Sequence, residues 1–300
     1  MAPVLPLIYN STAGGGSESK AKRAARALSD LGAGIEMLPT TGPGSATRLA
    51  ETAVERNLPR VLVAGGDGTL NEVINALAGS ETELAIIPTG TANVLSLDLE
   101  IPFRVEEAAR LALEGKSMAI DLGCVELEKG RCHYYALMAG IGFDALVVKN
   151  INPVLKKSIR RGAYPLTGLL TFLQKELPLL SVRHGGGESQ GYFVVASNSR
   201  YYGGRFGPTP DASMFDGLLD VCVLKHKGFQ EMINFWLAAL RRSTLDEGLA
   251  DYFRADSLEV SCPSGEPVPL QTDGEVIGEL PVRLTVVPAA LRVVTGRRPR

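Results

Sequence analysis

Residues Gly65-Gly66-Asp67-Gly68-Thr69 constrain this chain more than any other segment. They close the apolar run Val61-Leu62-Val63-Ala64 and open the helical pattern Leu70-Asn71-Glu72-Val73-Ile74-Asn75-Ala76-Leu77. A buried strand that turns into a helix is the repeating unit of a parallel α/β sheet, and ligands bind at the carboxyl ends of its strands. Glycines let the main chain come close to a bulky anion, and N–H groups at the helix start then face it. Phosphate is the usual anion. Many strand-to-helix turns need glycine for geometry alone, but three glycines around one aspartate favour phosphate. Thr69 and Glu72 have capping-box spacing, which places the helix start at Thr69.

The first third alternates strand and helix. Strands are expected at Val4–Tyr9, Ile35–Leu38, Val61–Ala64 and Leu84–Ile87. Ser17 and Ser45 read as N-caps of the two helices between the first three strands, and Gly32 and Gly115 as helix stops. Near Ser117 the pattern changes. Ala119–Leu127 and His133–Ala139 read as two strands around Glu128-Lys129-Gly130. Further strands are expected at Tyr192–Ala196, Leu218–Leu224, Leu258–Ser261, Val268–Gln271 and Val282–Val287, with helices near Leu166–Leu177 and Phe229–Leu240. The fold class is therefore α/β: an N-terminal Rossmann-like nucleotide-binding domain over 1–117, then a mainly antiparallel β domain over 118–283. A cleft between two such domains is the default ligand site.

Small polar residues follow the first, third and fourth strands. Asn10-Ser11-Thr12-Ala13-Gly14 either cradles phosphate oxygens or forms a flexible turn. Pro88-Thr89-Gly90-Thr91-Ala92-Asn93 leads into a helix that Thr91 would cap. These strand ends share one sheet edge, and their convergence favours a nucleotide. The second part supplies carboxylates. Asp211 and Asp216 flank Ala212-Ser213-Met214-Phe215, ahead of Gly217-Leu218-Leu219-Asp220. Oxygen ligands at such spacing suit Mg²⁺, and an Asp-Gly turn into a strand reads equally well. Gln271-Thr272-Asp273-Gly274-Glu275 is a second Asp-Gly turn, the signal of a hairpin. Read functionally, Asp273 accepts a hydroxyl proton and Glu275 helps hold a metal.

Composition removes several classes. The net charge of −2 gives no basic field for nucleic acid. Cys124, Cys132, Cys222 and Cys262 form no C-x-x-C pair and are expected to be reduced thiols. His133, His184 and His226 lack zinc-ligand spacing. No apolar stretch reaches the roughly 20 residues of a membrane span, and Met1-Ala2-Pro3-Val4 does not read as a signal peptide. The expected location is the cytoplasm. Lys156, Lys157, Arg160 and Arg161 precede the apolar stretch from Tyr164 to Leu180. This is either a solvated helix start or a peripheral docking surface at the inner membrane face.

Taken together, these motifs give a family resemblance over nearly the whole chain. It rests on Asn10–Gly14, Gly65–Thr69 with Asn71-Glu72, Gly90-Thr91-Ala92-Asn93, Ile120-Asp121-Leu122-Gly123 and Gly140-Ile141-Gly142-Phe143-Asp144. Asp216-Gly217-Leu218-Leu219-Asp220 and Asp273-Gly274-Glu275 complete it. The chain resembles the bacterial diacylglycerol-kinase-like lipid kinases, relatives of sphingosine kinases and more distantly of NAD kinases. The resemblance implies that residues 284–300 return to the first domain. It implies ATP contacts from Asn10, Ser11, Thr12, Ala13, Gly14, Thr40, Gly65, Gly66, Asp67, Gly68, Thr69, Leu70, Asn71, Thr91 and Asn93, with Asp121 in the polar network nearby. It implies Mg²⁺ at Ser213, Asp216 and Leu218, Asp273 as the base on a lipid hydroxyl with Glu275 beside it, and a homodimer as one assembly. Two departures stand out: Val94 replaces a common aspartate, and Ser11 replaces a common proline. An NAD kinase and a non-catalytic lipid- or nucleotide-binding relative are the rival readings. The NAD-kinase-like Gly-Ser-Thr-Ala-Tyr segment has no match here.

Overall fold

The computed structural model describes residues 4–11, 16–127, 130–143, 145–146, 177–201, 207–241 and 246–297. The expected helix near Leu166–Leu177 and the basic cluster Lys156–Arg161 lie outside the described residues, except Leu177 itself. The chain forms two compact units: Met1–Leu122 with Val287–Arg300, and Gly123–Val286.

The first unit is built from β1 (Leu5–Asn10), α1 (Ser17–Asp30), β2 (Ile35–Thr40), α2 (Ser45–Glu55), β3 (Arg60–Gly65), α3 (Asp67–Leu77), β4 (Glu83–Pro88), α4 (Val94–Asp98) and α5 (Val105–Glu114). Its strands lie in the order β2-β1-β3-β4 and all run parallel. Strands β1, β3 and β4 are near-continuous runs of buried apolar residues, as a sheet covered by helices requires, whereas the edge strand β2 is largely half-buried. The helices pack in two pairs, α1 with α5 and α2 with α3. In α1 the buried residues Ser17, Ala21, Ala24 and Leu28 recur at helical spacing and form the inward stripe.

Four helix starts differ from expectation. The residue flanking α1 is Gly16 and that flanking α2 is Gly44, both left-handed, so Ser17 and Ser45 are the first helical residues. Ser45 Oγ instead donates to the Gly42 carbonyl and accepts from the Thr41 and Gly42 N–H groups. Helix α3 begins at Asp67, two residues before the expected box. Glu72 is taken by another helix, its Oε2 accepting the Ala46 N–H of α2 at 2.9 Å. Residue Asn93, not Thr91, flanks α4.

The second unit contains the end of β5 (Ser117–Glu126), which starts in the first unit, then β6 (Cys132–Tyr135), β7 (Met138–Gly142), β8 (Leu180–His184), β9 (Gly187–Gly191), β10 (Phe193–Ser197), β11 (Leu219–Leu224), α6 (Phe229–Arg241), β12 (Ala250–Ala255), β13 (Ser257–Ser261), β14 (Pro269–Thr272) and β15 (Glu275–Glu279). β16 (Val282–Val294) starts here and ends in the first unit, where Val293 pairs with Leu84 of β4. One sheet has the order β12-β11-β10-β7-β14-β15, and another joins β16, β13, β8 and β9. Ile141, Val194, Val221 and Leu270 of the first share one buried cluster with Val182, Leu258, Val260 and Leu284 of the second. This is a sandwich core.

The strand expected over His133–Ala139 is two strands, broken at Ala136-Leu137. The main-chain N–H groups at the break turn away from a ladder to the Asp273 carboxylate. The reduced-thiol reading also needs correction, because Cys124 and Cys132 form a disulfide. The β5–β6 hairpin pairs Glu126 with Cys132 and Cys124 with Tyr134. That brings the two cysteines to a Cα separation of 5.4 Å, within bridging range. Cys222 and Cys262 are free thiols, and burial pushes the Cys222 thiol up to about 12.

Candidate functional site

In the first unit the carboxyl ends of β1, β3 and β4 carry the expected nucleotide residues. Asn10 ends β1 opposite Thr40 at the end of β2. Ser11 Oγ donates to the Thr40 carbonyl at 3.1 Å, so this segment is tied down by its own neighbours. Thr12, Ala13 and Gly14 lie outside the described residues.

The glycines around Asp67 have different jobs. A Cβ on Gly65 would lie 2.9 Å from Thr69 Cβ. One on Gly90 would lie 2.6 Å from Gly66 Cα, so the two loops touch main chain to main chain. Thr89 N–H donates to the Gly65 carbonyl across the same junction at 3.0 Å. Gly68 differs: a Cβ there would meet nothing within 4 Å. It sits exposed in the first turn of α3, where N–H groups point outward.

Asp67 is drawn inward. Burial raises its carboxyl above the usual range, opposed by the main-chain N–H groups of Leu95, Val94 and Asn93. The Leu95 N–H donates to Oδ1 at 3.3 Å. Asn93 ties the same turn, its Oδ1 accepting the Gly90 N–H and its Nδ2 donating to the Gly90 carbonyl, both at 3.0 Å. Thr91 is exposed beside them. The Leu70 side chain packs in the core, and its N–H bonds the Gly66 carbonyl. Asn71 is also buried, and its Oδ1 accepts from Asn75 Nδ2 at 3.2 Å. Both therefore serve the helix rather than presenting a side chain at the edge. Asp121 accepts the Ala289 N–H at 2.8 Å, holding β16 where Ala289 adopts a left-handed φ of 51°.

In the second unit one edge of the six-stranded sheet collects polar residues. The register sets Ser197 opposite both Met138 and Asp220, Ala139 opposite Thr272, and Asp220 opposite Arg254. Asp273 turns the β14–β15 hairpin with Gly274, both at positive φ, which is the Asp-Gly geometry of a type I′ turn. Its Oδ1 accepts the Leu137 and Met138 N–H groups at 3.0 and 2.9 Å, and its Oδ2 accepts the Ala136 N–H at 2.9 Å. The carboxylate is thus held in one orientation. Glu275, next in the hairpin, is exposed and makes no ion pair among the described residues.

Ser213, Asp216 and Leu218 share a tight loop. Asp216 Oδ1 accepts the Leu218 N–H at 3.2 Å, Ser213 Oγ accepts the Phe215 N–H at 3.3 Å, and Gly217 has φ 71°. The donors are a carboxylate, a hydroxyl and main-chain carbonyls, an oxygen-only set that fits a hard cation. Among the described residues no cluster of three His, Cys, Asp or Glu side chains could hold a metal. A cation here would depend on the carbonyls.

Two further polar residues lie beside these positions. Asp220 is fully buried, accepts from the Tyr252 hydroxyl and pairs with Arg254 Nε at 3.2 Å. Burial pushes its carboxyl up, against Tyr252 and Arg254, which pull it down. The Asp-Gly-Leu-Leu-Asp spacing was a usable signal for it. Lys20 donates from Nζ to the Thr89 carbonyl at 3.4 Å, beside the Gly66–Gly90 contact. Nothing in the local sequence distinguishes it from other helix lysines.

Comparison with known proteins follows the same division. The diacylglycerol kinase catalytic domain family matches residues 4–125, and the YegS C-terminal NAD kinase beta sandwich-like domain family matches 138–295. A probable lipid kinase, YegS-like, of Pseudomonas aeruginosa is 35% identical over 97% of this chain and 93% of its own length. A diacylglycerol kinase of Bacillus subtilis is 32% identical over 92% of this chain and 90% of its own. A crystal structure of a putative diacylglycerol kinase from Bacillus anthracis superposes with TM-score 0.81 at 25% identity, covering 98% of this chain and 97% of that one. The chain belongs to the family of diacylglycerol kinases and YegS-like lipid kinases, and its class is that of a kinase.

Proposed function

We propose that this protein is an ATP- and Mg²⁺-dependent lipid kinase, transferring the γ-phosphoryl group to a lipid hydroxyl. The observation that carries the nucleotide half is Gly68. No neighbouring atom requires glycine there, and the exposed main chain at the start of α3 is where an anion would meet its N–H groups. The names of the relatives carry the lipid half, since they include diacylglycerol kinases and lipid kinases.

In the reaction the acceptor oxygen bonds to the γ-phosphorus, the bond from that phosphorus to the β–γ bridging oxygen breaks, and ADP leaves. The hydroxyl proton passes to Asp273. Phosphoryl transfer asks the protein mainly for placement and charge stabilisation. The three N–H groups on Asp273 fit that demand, since the carboxylate meets its substrate already oriented. Ser213, Asp216 and Leu218 would hold Mg²⁺, which would supply positive charge for the transfer. The acceptor is reached at a membrane surface. No described helix is long and apolar enough to cross a membrane.

Labelled ATP with Mg²⁺, offered diacylglycerol, sphingosine, phosphatidylglycerol or NAD, tests the reading. Transfer to a lipid supports it; transfer to NAD alone replaces it with the NAD kinase reading. ATP binding without transfer to any acceptor favours the non-catalytic relative, for which Val94 is the specific argument. Asp273→Asn should lower turnover by about 10²–10⁴-fold with ATP affinity unchanged. Near-normal turnover would remove Asp273 from the base role.

A further inference from the structure

We infer that Asp67, the acidic residue of the diglycine bend, is a positioning residue that locks the Gly90–Asn93 turn in place and is not a ligand of the nucleotide's metal ion. The inference rests on the nucleotide reading above. Four observations lead to it. The Asp67 carboxylate faces the N–H groups of Asn93, Val94 and Leu95, with the Leu95 N–H donating at 3.3 Å. The bend and the turn cross at Gly66 and Gly90 with no room for a side chain, since a Cβ on Gly66 would lie 3.1 Å from Gly90 Cα. Asn93 closes the turn on itself through its two bonds to Gly90. Val94 is buried and apolar, so that position meets the carboxylate only through its main-chain N–H.

The two loops are thus cross-braced by one main-chain contact and one carboxylate. An aspartate placed to hold a metal would direct its oxygens outward, toward the exposed positions Gly68 and Thr91. Here the described bonds of the carboxylate run inward to the first turn of α4. This preforms the edge on which a nucleotide would lie and lowers the cost of ordering it on binding. Isosteric asparagine keeps an oxygen for the Leu95 N–H, removes the charge and replaces the second acceptor oxygen by an NH2 group.

The test uses the full chain with Asp67→Asn and Asp67→Ala. Amide hydrogen exchange at Leu95, read without nucleotide, should stay protected in the asparagine variant and become fast in the alanine variant. Calorimetry should show ATP affinity within about threefold of wild type for Asp67→Asn, with the same Mg²⁺ dependence. Asp67→Ala should weaken ATP by about tenfold, the size of a lost cap. If the alanine variant does not fold, the asparagine variant decides alone. The inference is overturned if Asp67→Asn melts like wild type yet loses ATP or shifts its Mg²⁺ dependence. It is overturned too if Leu95 stays protected in a folded Asp67→Ala. A wild-type chain that binds no ATP defeats the nucleotide reading instead, while the exchange result still decides whether Asp67 holds the turn.

Discussion

Gly65, Gly66, Gly68 and Gly90 look alike in the sequence but answer to different forces. A methyl group on Gly90 would meet main chain at 2.6 Å and the Asn93 Oδ1 at 2.8 Å, and neither can retreat without breaking the turn. Such overpacking costs typically about 1–3 kcal/mol. A methyl group on Gly68 would meet only open space. It would also stiffen the first turn of α3, a gain of up to about 1 kcal/mol. The two alanine variants should therefore separate fold from function. Gly90→Ala is expected to melt several degrees lower. Gly68→Ala is expected to melt at or above wild type while losing most of its ATP affinity, because the methyl occupies the anion's position. Thermal melts and calorimetry on the two proteins check both statements. Undiminished ATP binding by Gly68→Ala would place the phosphates elsewhere.

At the scale of elements, the parallel strands β1, β3 and β4 were readable because each is a buried apolar run bounded by turn residues, as Val61–Ala64 is. Helix starts were not, because partners far along the chain took the capping groups. Glu72 bonds Ala46 in a neighbouring helix, and Ser17 Oγ lies 3.4 Å from Thr89 Oγ1 instead of bonding its own first turn. Strands β9 and β12 lack clean alternation; β9 owes its shape to a tight hairpin with β8, and β12 to non-local pairing with β11. The site divided the same way. Asp273-Gly274 announced its hairpin, but the break at Ala136-Leu137 could not be seen without knowing that Asp273 sits behind it. The Cys124–Cys132 bridge needed the β5–β6 register, which no spacing rule encodes. That bridge closes a loop with sequence separation 8. By chain entropy a loop of this size is worth about 2.5 kcal/mol. A Cys124→Ala/Cys132→Ala double variant should unfold at lower denaturant than the oxidised protein and match it in reductant. Equal midpoints under oxidising conditions would mean that the bridge adds nothing to the hairpin.

At the scale of the molecule, the first unit is assembled from both ends of the chain. Its sheet is completed by the last half of β16, whose Leu291, Val293 and Val294 are buried with Ala290. The Gly79 N–H bonds the Ala290 carbonyl at 2.7 Å. The Gly296 N–H and Thr295 Oγ both bond the Leu99 carbonyl, and Arg297 bonds the Asp98 carbonyl at 2.6 Å and pairs with its carboxylate. Full burial of three large apolar side chains contributes on the order of 5–9 kcal/mol, which rivals the whole stability of an ordinary domain, about 5–15 kcal/mol. The terminal segment is thus a structural part of the first unit, although it carries none of the expected nucleotide contacts. A chain ending at Val286 should retain every one of those contacts and still fail to bind ATP, because β4 loses its neighbour and α4 its tether. Leu291→Ala is the graded version, expected to cost about 2–5 kcal/mol while ATP affinity of the folded fraction stays unchanged. Denaturant unfolding followed by calorimetry separates the two effects. A shortened chain that is soluble, melts like the full protein and binds ATP would show that the parallel sheet stands without its last strand.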